Sequence, residues 1–174
     1  LLEAGLPRGL LSIVHGGAEV AQWLLDEPLV RFYAFTGSTT VGRAIQARAG
    51  LRRTQMELGS IAYCILCDDA DLEAALPRVV NAGYRKAGQV CTSVQMLLVH
   101  RSRLQDVQSR LATMVAALPF GDPGESATVV GPVISEASAV RIAEWIEAAV
   151  AAGARLLAGG ERRGTVVPPT LLAD

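Results

Sequence analysis

Cys91 is the residue in this chain whose setting suits covalent chemistry. It follows Gly88-Gln89-Val90 and precedes Thr92-Ser93, a polar stretch with one glycine that leads into the apolar run Val94–Val99. A cysteine attacks an electrophilic carbon as its thiolate, and a polar loop next to a basic residue, here Lys86, favours that form. From the residues alone, Cys91 is therefore a candidate nucleophile, and an unreactive loop thiol is the alternative.

Glu57 is a candidate proton acceptor. It ends the strand-like run of residues 52–56 and stands directly before Leu58-Gly59. A positioned carboxylate can remove a proton from water and so act as a general base. From the residues alone, a solvated glutamate at a strand end is the simpler interpretation, because most glutamates are exposed.

Gly37 and Ser38 lie in a turn, Thr36 to Thr40, between a predicted strand and a predicted helix. The first amides of a helix have no partner within it and attract phosphate, while a glycine lets a ligand approach the backbone closely. The alternative is an ordinary helix N-cap, since Ser and Thr are favoured there. The chain contains neither a G-x-G-x-x-G fingerprint nor a Walker loop.

Metal chemistry is not predicted. Cys64 and Cys67 are three residues apart in a predicted strand, where such side chains point to opposite faces, so we expect both to pack in the core. His15 and His100 have no partner at ligand spacing and are interpreted as structural.

Composition limits the class of protein. The 174 residues are 51% hydrophobic with a net charge of −1, and acidic and basic residues are interspersed along the chain. This predicts a soluble globular protein that binds neither nucleic acid nor a membrane. Three cysteines without a disulfide pattern indicate a reducing compartment, which we take to be the cytoplasm.

The hydrophobic pattern alternates between strands and helices, which predicts an α/β fold with a parallel sheet. Pro77 lies inside one helix and predicts a kink or a restart there, and Trp145 is expected to face the core. The predicted strands are residues 10–14, 30–35, 52–56, 61–67, 94–99 and 154–157, and the predicted helices are residues 18–25, 41–49, 72–85, 103–117 and 135–152.

Several ordered motifs together resemble the NAD(P)-dependent aldehyde dehydrogenases. The Glu57 and Cys91 stretches, in this order and about this far apart, are the specific part of the resemblance. The matching segments are Gly5-Leu6-Pro7-Arg8-Gly9, Phe35-Thr36-Gly37-Ser38-Thr39-Thr40-Val41-Gly42, Glu57-Leu58-Gly59, Gly88-Gln89-Val90-Cys91-Thr92-Ser93, Gly131-Pro132 and Pro169-Thr170-Leu171-Leu172.

The resemblance implies oxidation of an aldehyde to a carboxylic acid, with NAD or NADP as the cofactor. Cys91 would form a thiohemiacetal and then a thioester, and Glu57 would be the general base for hydrolysis. The Cys91 amide would help to hold the oxyanion. The implied coenzyme-binding residues are Gly37, Ser38, Val41, Leu58 and Gly59.

The resemblance also implies a fold and an organisation. The fold would be α/β, with three-layer open, mostly parallel sheets and helices on both faces, in parts of two Rossmann-like domains. Residues 1–59 would end the coenzyme-binding domain, and residues 60–174 would form most of the catalytic domain, with Cys91 at the interface. The intact protein would be a homodimer or homotetramer that acts on a small-molecule aldehyde.

The chain departs from the family pattern after Gly59. Ser60-Ile61 stands where Gly-Lys is usual, and Ala62-Tyr63-Cys64 stands where Ser-Pro-Asn is usual. The chain lacks the family's oxyanion asparagine, its ribose-binding lysine and its Glu-Glu-x-Phe-Gly-Pro stretch, so we expect an internal fragment that is inactive in isolation. Alternatives are a CoA-acylating aldehyde dehydrogenase and a cysteine hydrolase.

Overall fold

The structure is a computed structural model that describes residues 3–174. These residues form two compact units, one ending at Gly59 and the other running from Ser60 to Asp174. Each unit contains helices and a parallel strand pair, so the predicted α/β class is confirmed. Within the described range, no helix has the length and apolar character needed to cross a membrane.

The first unit is built on one parallel strand pair. The register places Phe32 opposite Arg53 and Thr36 opposite Glu57. The helix between the two strands is the crossover connection that parallel strands require. The last residues of both strands and the turn that enters this helix therefore lie at the same edge of the strand pair. The elements are α1 (Ala18–Asp26), β1 (Phe32–Thr36), α2 (Thr39–Ala49) and β2 (Arg53–Glu57).

Arg52 ties the elements of the first unit together. Its guanidinium donates hydrogen bonds to the carbonyls of Leu25 at 2.9 Å and Arg48 at 3.0 Å, and to the hydroxyl of Tyr33. It also lies 4.9 Å from the centre of the Tyr33 ring, within cation–π range. One side chain therefore connects the ends of α1 and α2 with β1.

The second unit contains a parallel and an antiparallel strand pair. β3 pairs with β4 in parallel, with Tyr63 opposite Met96 and Leu66 opposite Val99, and β5 pairs antiparallel with β6. The elements are β3 (Ala62–Leu66), α3 (Leu72–Tyr84), β4 (Val94–Val99), α4 (Leu104–Ala116), α5 (Glu136–Ala151), β5 (Arg155–Ala158) and β6 (Leu171–Ala173).

The core of the second unit lies between α3, α4 and one face of the β3–β4 pair. Leu76, Val107 and Val115 are at most 1% exposed, and Leu97 and Val99 pack against this cluster. The opposite face of the same strands is exposed, as are the side chains on it: Tyr63, Ile65, Met96 and Leu98.

We expect Leu76→Ala to lower the free energy of unfolding by about 2–5 kcal/mol, because it leaves a cavity in a closed core. Urea unfolding of the intact protein measures this loss. Leu51→Ala makes the same change at a fully exposed side chain and should alter stability by less than about 0.5 kcal/mol. Equal effects in the two variants would contradict the assignment of this core.

The predicted strand at residues 10–14 is wrong. This segment has no regular secondary structure, and Leu10, Leu11, Ile13 and Val14 are all more than half exposed. A strand needs a neighbour that satisfies its backbone groups, and no pairing of this segment occurs among residues 3–174. The helix expected after it forms as predicted, at α1.

Two details of the predicted helices differ. α3 runs through Pro77 as one helix, so the restart does not occur. Proline there gives up only the hydrogen bond that its nitrogen would have donated to Glu73. Trp145 is 63% exposed rather than buried, whereas Ile146 beside it is 8% exposed. Arg141 on the preceding turn covers the indole, 5.4 Å from its ring.

The strand predicted at residues 61–67 is buried on one face only. Cys64 is partly buried, but Cys67 is exposed, so the expectation that both pack in the core is wrong for Cys67. The strand ends at Leu66, and Cys67 begins the turn before α3. In this turn the Ala70 amide donates a hydrogen bond to the Cys67 carbonyl at 3.3 Å.

Candidate active site

The carboxyl edge of the β1–β2 pair gathers the predicted residues of the first unit. β1 ends at Thr36 and β2 at Glu57, directly opposite each other. The Gly37 amide donates a hydrogen bond to the Glu57 carbonyl at 3.0 Å, which extends the ladder by one step. Ligands of open parallel sheets bind outside this edge.

Ser38 is the N-cap of α2. Its Oγ accepts a hydrogen bond from the Val41 amide at 3.2 Å, and its carbonyl accepts the first intrahelical bond, from Gly42 at 2.9 Å. The amides of Thr39 and Thr40 precede that bond and so have no intrahelical acceptor. The N-cap interpretation is therefore correct, and two amides stay open for an anion.

Leu58 packs on the first turn of α2. A Cβ on Gly42 would lie 2.4 Å from Leu58 Cδ2, so a larger residue there would require the Leu58 side chain to move. Gly59 lies at the same turn, where an added Cβ would be 3.7 Å from Thr39 Oγ1. The residues predicted to bind coenzyme thus meet at one place in the first unit, with Val41 47% exposed there.

Cys91 lies in the second unit, in the loop between α3 and β4, and its side chain is exposed. Three consecutive residues before it, Lys86, Ala87 and Gly88, have φ values of 54°, 55° and 70°. Left-handed backbone at two non-glycine residues costs free energy and is typical of functional loops. The loop closes through a hydrogen bond from Gln89 N to Lys86 O at 3.1 Å.

Hydrogen bonds on both sides fix the Cys91 backbone. The Ser93 amide donates to the Val90 carbonyl at 2.9 Å, which makes a turn around Cys91 and Thr92. Ser93 is 1% exposed, and its hydroxyl has no hydrogen-bond partner in the described part of the chain. On the other side, Ser60 Oγ donates to the Cys91 carbonyl at 2.8 Å.

Tyr84 anchors the start of this loop. Its hydroxyl donates a hydrogen bond to the Thr170 carbonyl at 2.8 Å, which connects the end of α3 to the segment before β6. Burial disfavours the charged tyrosinate and raises the pKa of Tyr84 from 10.0 to about 12.

This pKa predicts a loss of stability in alkaline solution. Unfolded Tyr84 loses its proton near pH 10, whereas folded Tyr84 keeps it until about pH 12. The stability that depends on protonated Tyr84 is therefore fully present below pH 10 and is lost as the pH rises toward 12. Unfolding midpoints should therefore fall over this range, and Tyr84→Phe should remove that part of the fall. Tyr63→Phe, at an exposed ring, should keep it.

No group of three His, Cys, Asp or Glu side chains suited to a metal ion occurs among residues 3–174. His100 makes local contacts instead: its Nδ1 lies 2.8 Å from Ser102 Oγ and accepts a hydrogen bond from the Ser102 amide at 3.4 Å, which caps the turn before α4.

The sequence did not reveal the hydrogen bonds by which three side chains support the site, those of Ser60, Gln95 and Tyr84. Gln95 Nε2 donates to the Ser60 carbonyl at 3.1 Å. Their partners are 31, 35 and 86 residues away along the chain, so no local pattern indicates them. The departure from the family pattern at Ser60 was the one available signal.

Comparison with known proteins gives one consistent family. The aldehyde dehydrogenase family model matches residues 1–174. Two 3-sulfolactaldehyde dehydrogenases, from Priestia aryabhattai and Priestia megaterium, are each 40% identical over 173 residues, which is 99% of this chain and 36% of theirs. The chain belongs to the aldehyde dehydrogenase family, and it spans about a third of the length of these relatives.

Solved structures show the same fold. An aldehyde dehydrogenase from Mycobacterium tuberculosis in complex with NAD+ superposes with a TM-score of 0.95 at 39% identity, over 99% of this chain and 37% of that one. A glyceraldehyde-3-phosphate dehydrogenase from Methanocaldococcus jannaschii in complex with NADP superposes with a TM-score of 0.93 at 32% identity, over 98% of this chain and 38% of that one. The fold implied by the resemblance is therefore confirmed.

Proposed function

We propose that the intact protein oxidises an aldehyde to a carboxylic acid, with Cys91 as the nucleophile. The observation that carries this proposal is an exposed cysteine held in a strained loop, in a chain of the aldehyde dehydrogenase family. Backbone strain at Lys86 and Ala87 is the kind of cost that persists where a loop must hold a reactive group.

The chemistry at Cys91 proceeds in two stages. The thiolate adds to the aldehyde carbon, and the resulting oxyanion accepts a hydrogen bond from the Cys91 amide. Loss of hydride from that carbon then restores the C=O bond and leaves a thioester on the sulfur. In the second stage, Glu57 takes a proton from a water molecule that attacks the thioester, which releases the acid and the thiolate.

The hydride acceptor in this proposal is NAD or NADP, which supplies an oxidised nicotinamide. The open amides of Thr39 and Thr40 fit a pyrophosphate, since helix N-termini bind anions. Gly37, Ser38, Val41, Leu58 and Gly59 would hold the coenzyme around this helix start, because they lie at the same edge of the first unit. The relatives crystallised with NAD+ and NADP support either coenzyme.

The two compact units suggest which part of the chain binds the coenzyme and which part carries the nucleophile. The unit that ends at Gly59 carries the proposed coenzyme residues and Glu57, and the unit from Ser60 carries Cys91. We assign them to the coenzyme-binding and catalytic domains. In this proposal the intact protein is a homodimer or homotetramer that acts on a small-molecule aldehyde.

Product analysis of the intact protein tests the proposal. It is incubated with NAD+ or NADP+ and an aldehyde, beginning with the 3-sulfolactaldehyde and glyceraldehyde-3-phosphate named for its relatives. One carboxylic acid should form for each reduced coenzyme. If an acyl-CoA forms when CoA is added, the enzyme transfers the acyl group to CoA rather than to water. If no aldehyde leads to reduction of the coenzyme, the proposal is refuted. The isolated 174-residue chain should be inactive in the same assay.

A further inference from the structure

We infer that Ser60 is a positioning residue for the nucleophile, acting through the main chain of Cys91. This inference rests on the proposed function of Cys91. Ser60 Oγ donates a hydrogen bond of 2.8 Å to the carbonyl of Cys91 itself, from a position 31 residues earlier in the chain. Both residues belong to the second unit, so this contact is internal to it.

The geometry forms a bracket of two hydrogen bonds. Ser60 holds the Cys91 carbonyl, and Gln95 Nε2 holds the Ser60 carbonyl at 3.1 Å. Gln95 is the second residue of β4, which pairs with β3, and β3 begins at Ala62, two residues after Ser60. The sheet therefore fixes Gln95, Gln95 fixes the main chain of Ser60, and the Ser60 side chain fixes Cys91.

The bracket acts on the peptide between Cys91 and Thr92, whose orientation the hydrogen bond from Ser93 to Val90 alone does not determine, since type I and type II turns share that bond. The turn from Val90 to Ser93 and the burial of the Ser93 side chain hold the chain on both sides of Cys91. The orientation of the Cys91 carbonyl sets the backbone ψ of that residue, and this torsion contributes to the direction of its Cα–Cβ bond. Ser60 Oγ selects one such orientation, so it should keep the sulfur aligned with the substrate carbon.

Alignment affects the covalent step more than substrate binding. Ser60 and Gln95 supply no charge, and the hydrogen bonds of both side chains run to main-chain carbonyls. Loss of the Ser60 hydroxyl should therefore slow thiol attack and hydride transfer while KM stays constant, since small misplacements of reacting atoms cost rate. We expect about a 10-fold fall in the rate of the first-turnover burst of reduced coenzyme.

Three variants of the intact protein test this role by rapid-mixing measurement of the burst. Ser60→Ala should lower the burst rate about 10-fold at unchanged KM, and Ser60→Thr, which keeps a hydroxyl, should restore it to within about twofold. Gln95→Met keeps the length of the side chain without its donor and should lower the same rate by a smaller factor. Ser109→Ala, at an exposed serine on α4, is the matched control.

The outcomes separate this inference from the proposed function. A Ser60→Ala burst rate within about twofold of the wild type would overturn the positioning role while leaving Cys91 as nucleophile. A fall that Ser60→Thr does not restore would overturn it too, because the hydroxyl would not be its cause. Absence of any burst in the wild-type protein would instead contradict the proposed function. Thermal unfolding of each variant identifies a loss caused by misfolding.

Discussion

Cys91→Ala is expected to abolish the aldehyde-dependent burst of reduced coenzyme and to lower kcat by on the order of 10⁴-fold or more. The physical reason is that, in the proposed mechanism, hydride leaves only from the tetrahedral carbon that forms when the sulfur adds to the aldehyde. Alanine offers no atom that can bond to the aldehyde carbon. Coenzyme binding should be unaffected, because the proposed coenzyme residues belong to the first unit.

Stopped-flow absorbance of the reduced coenzyme measures this burst, and titration of coenzyme fluorescence measures binding. Cys67→Ala is the matched control, since Cys67 is the other exposed cysteine in the described part of the chain. It should keep both burst and turnover. A burst that survives in Cys91→Ala with unchanged amplitude would remove Cys91 from the mechanism.

Elements whose boundaries depend on neighbouring residues could be predicted from the sequence. Ser38, Asp71 and Ser135 each accept a hydrogen bond from an amide in the first turn of a helix, and such caps are readable because the interaction spans only a few residues. Gly50, with φ of 58°, ends α2 as expected.

Features that depend on distant partners could not be predicted. Residues 10–14 have the composition of a strand but no partner within the described residues. Ile65 and Trp145 are apolar and exposed because exposure depends on what packs against a face, not on residue type. An apolar pattern is therefore buried only on the faces against which another element packs, as where α3 and α4 cover one face of the β3–β4 pair.

The candidate site also has features that the sequence shows and features that it does not show. The order of Gly37, Glu57 and Cys91 is visible in the sequence because each stands in a recognisable motif. The left-handed backbone at Lys86 and Ala87 is not, since non-glycine residues give no sign of positive φ. The contact between Ser60 and Cys91 is hidden for another reason, because it joins residues that only the β3–β4 pairing brings together.

Glu57→Gln is expected to separate the two stages of the reaction. The amide has almost the same shape as the carboxylate but cannot accept a proton from water, so thioester hydrolysis should slow by roughly 10²–10⁴-fold. In the proposed mechanism, thiol attack and hydride transfer do not use this proton. The variant should therefore show a normal burst of one reduced coenzyme per active site, followed by almost no turnover.

The trapped species provides the direct measurement. Intact-mass and peptide analysis of Glu57→Gln after the burst should find the acyl group on Cys91, and added hydroxylamine should release it. Glu19→Gln, at an exposed residue in the first turn of α1, should turn over normally and carry no acyl group. Normal turnover in Glu57→Gln would exclude Glu57 as the general base, while loss of the burst itself would assign Glu57 to the first stage instead.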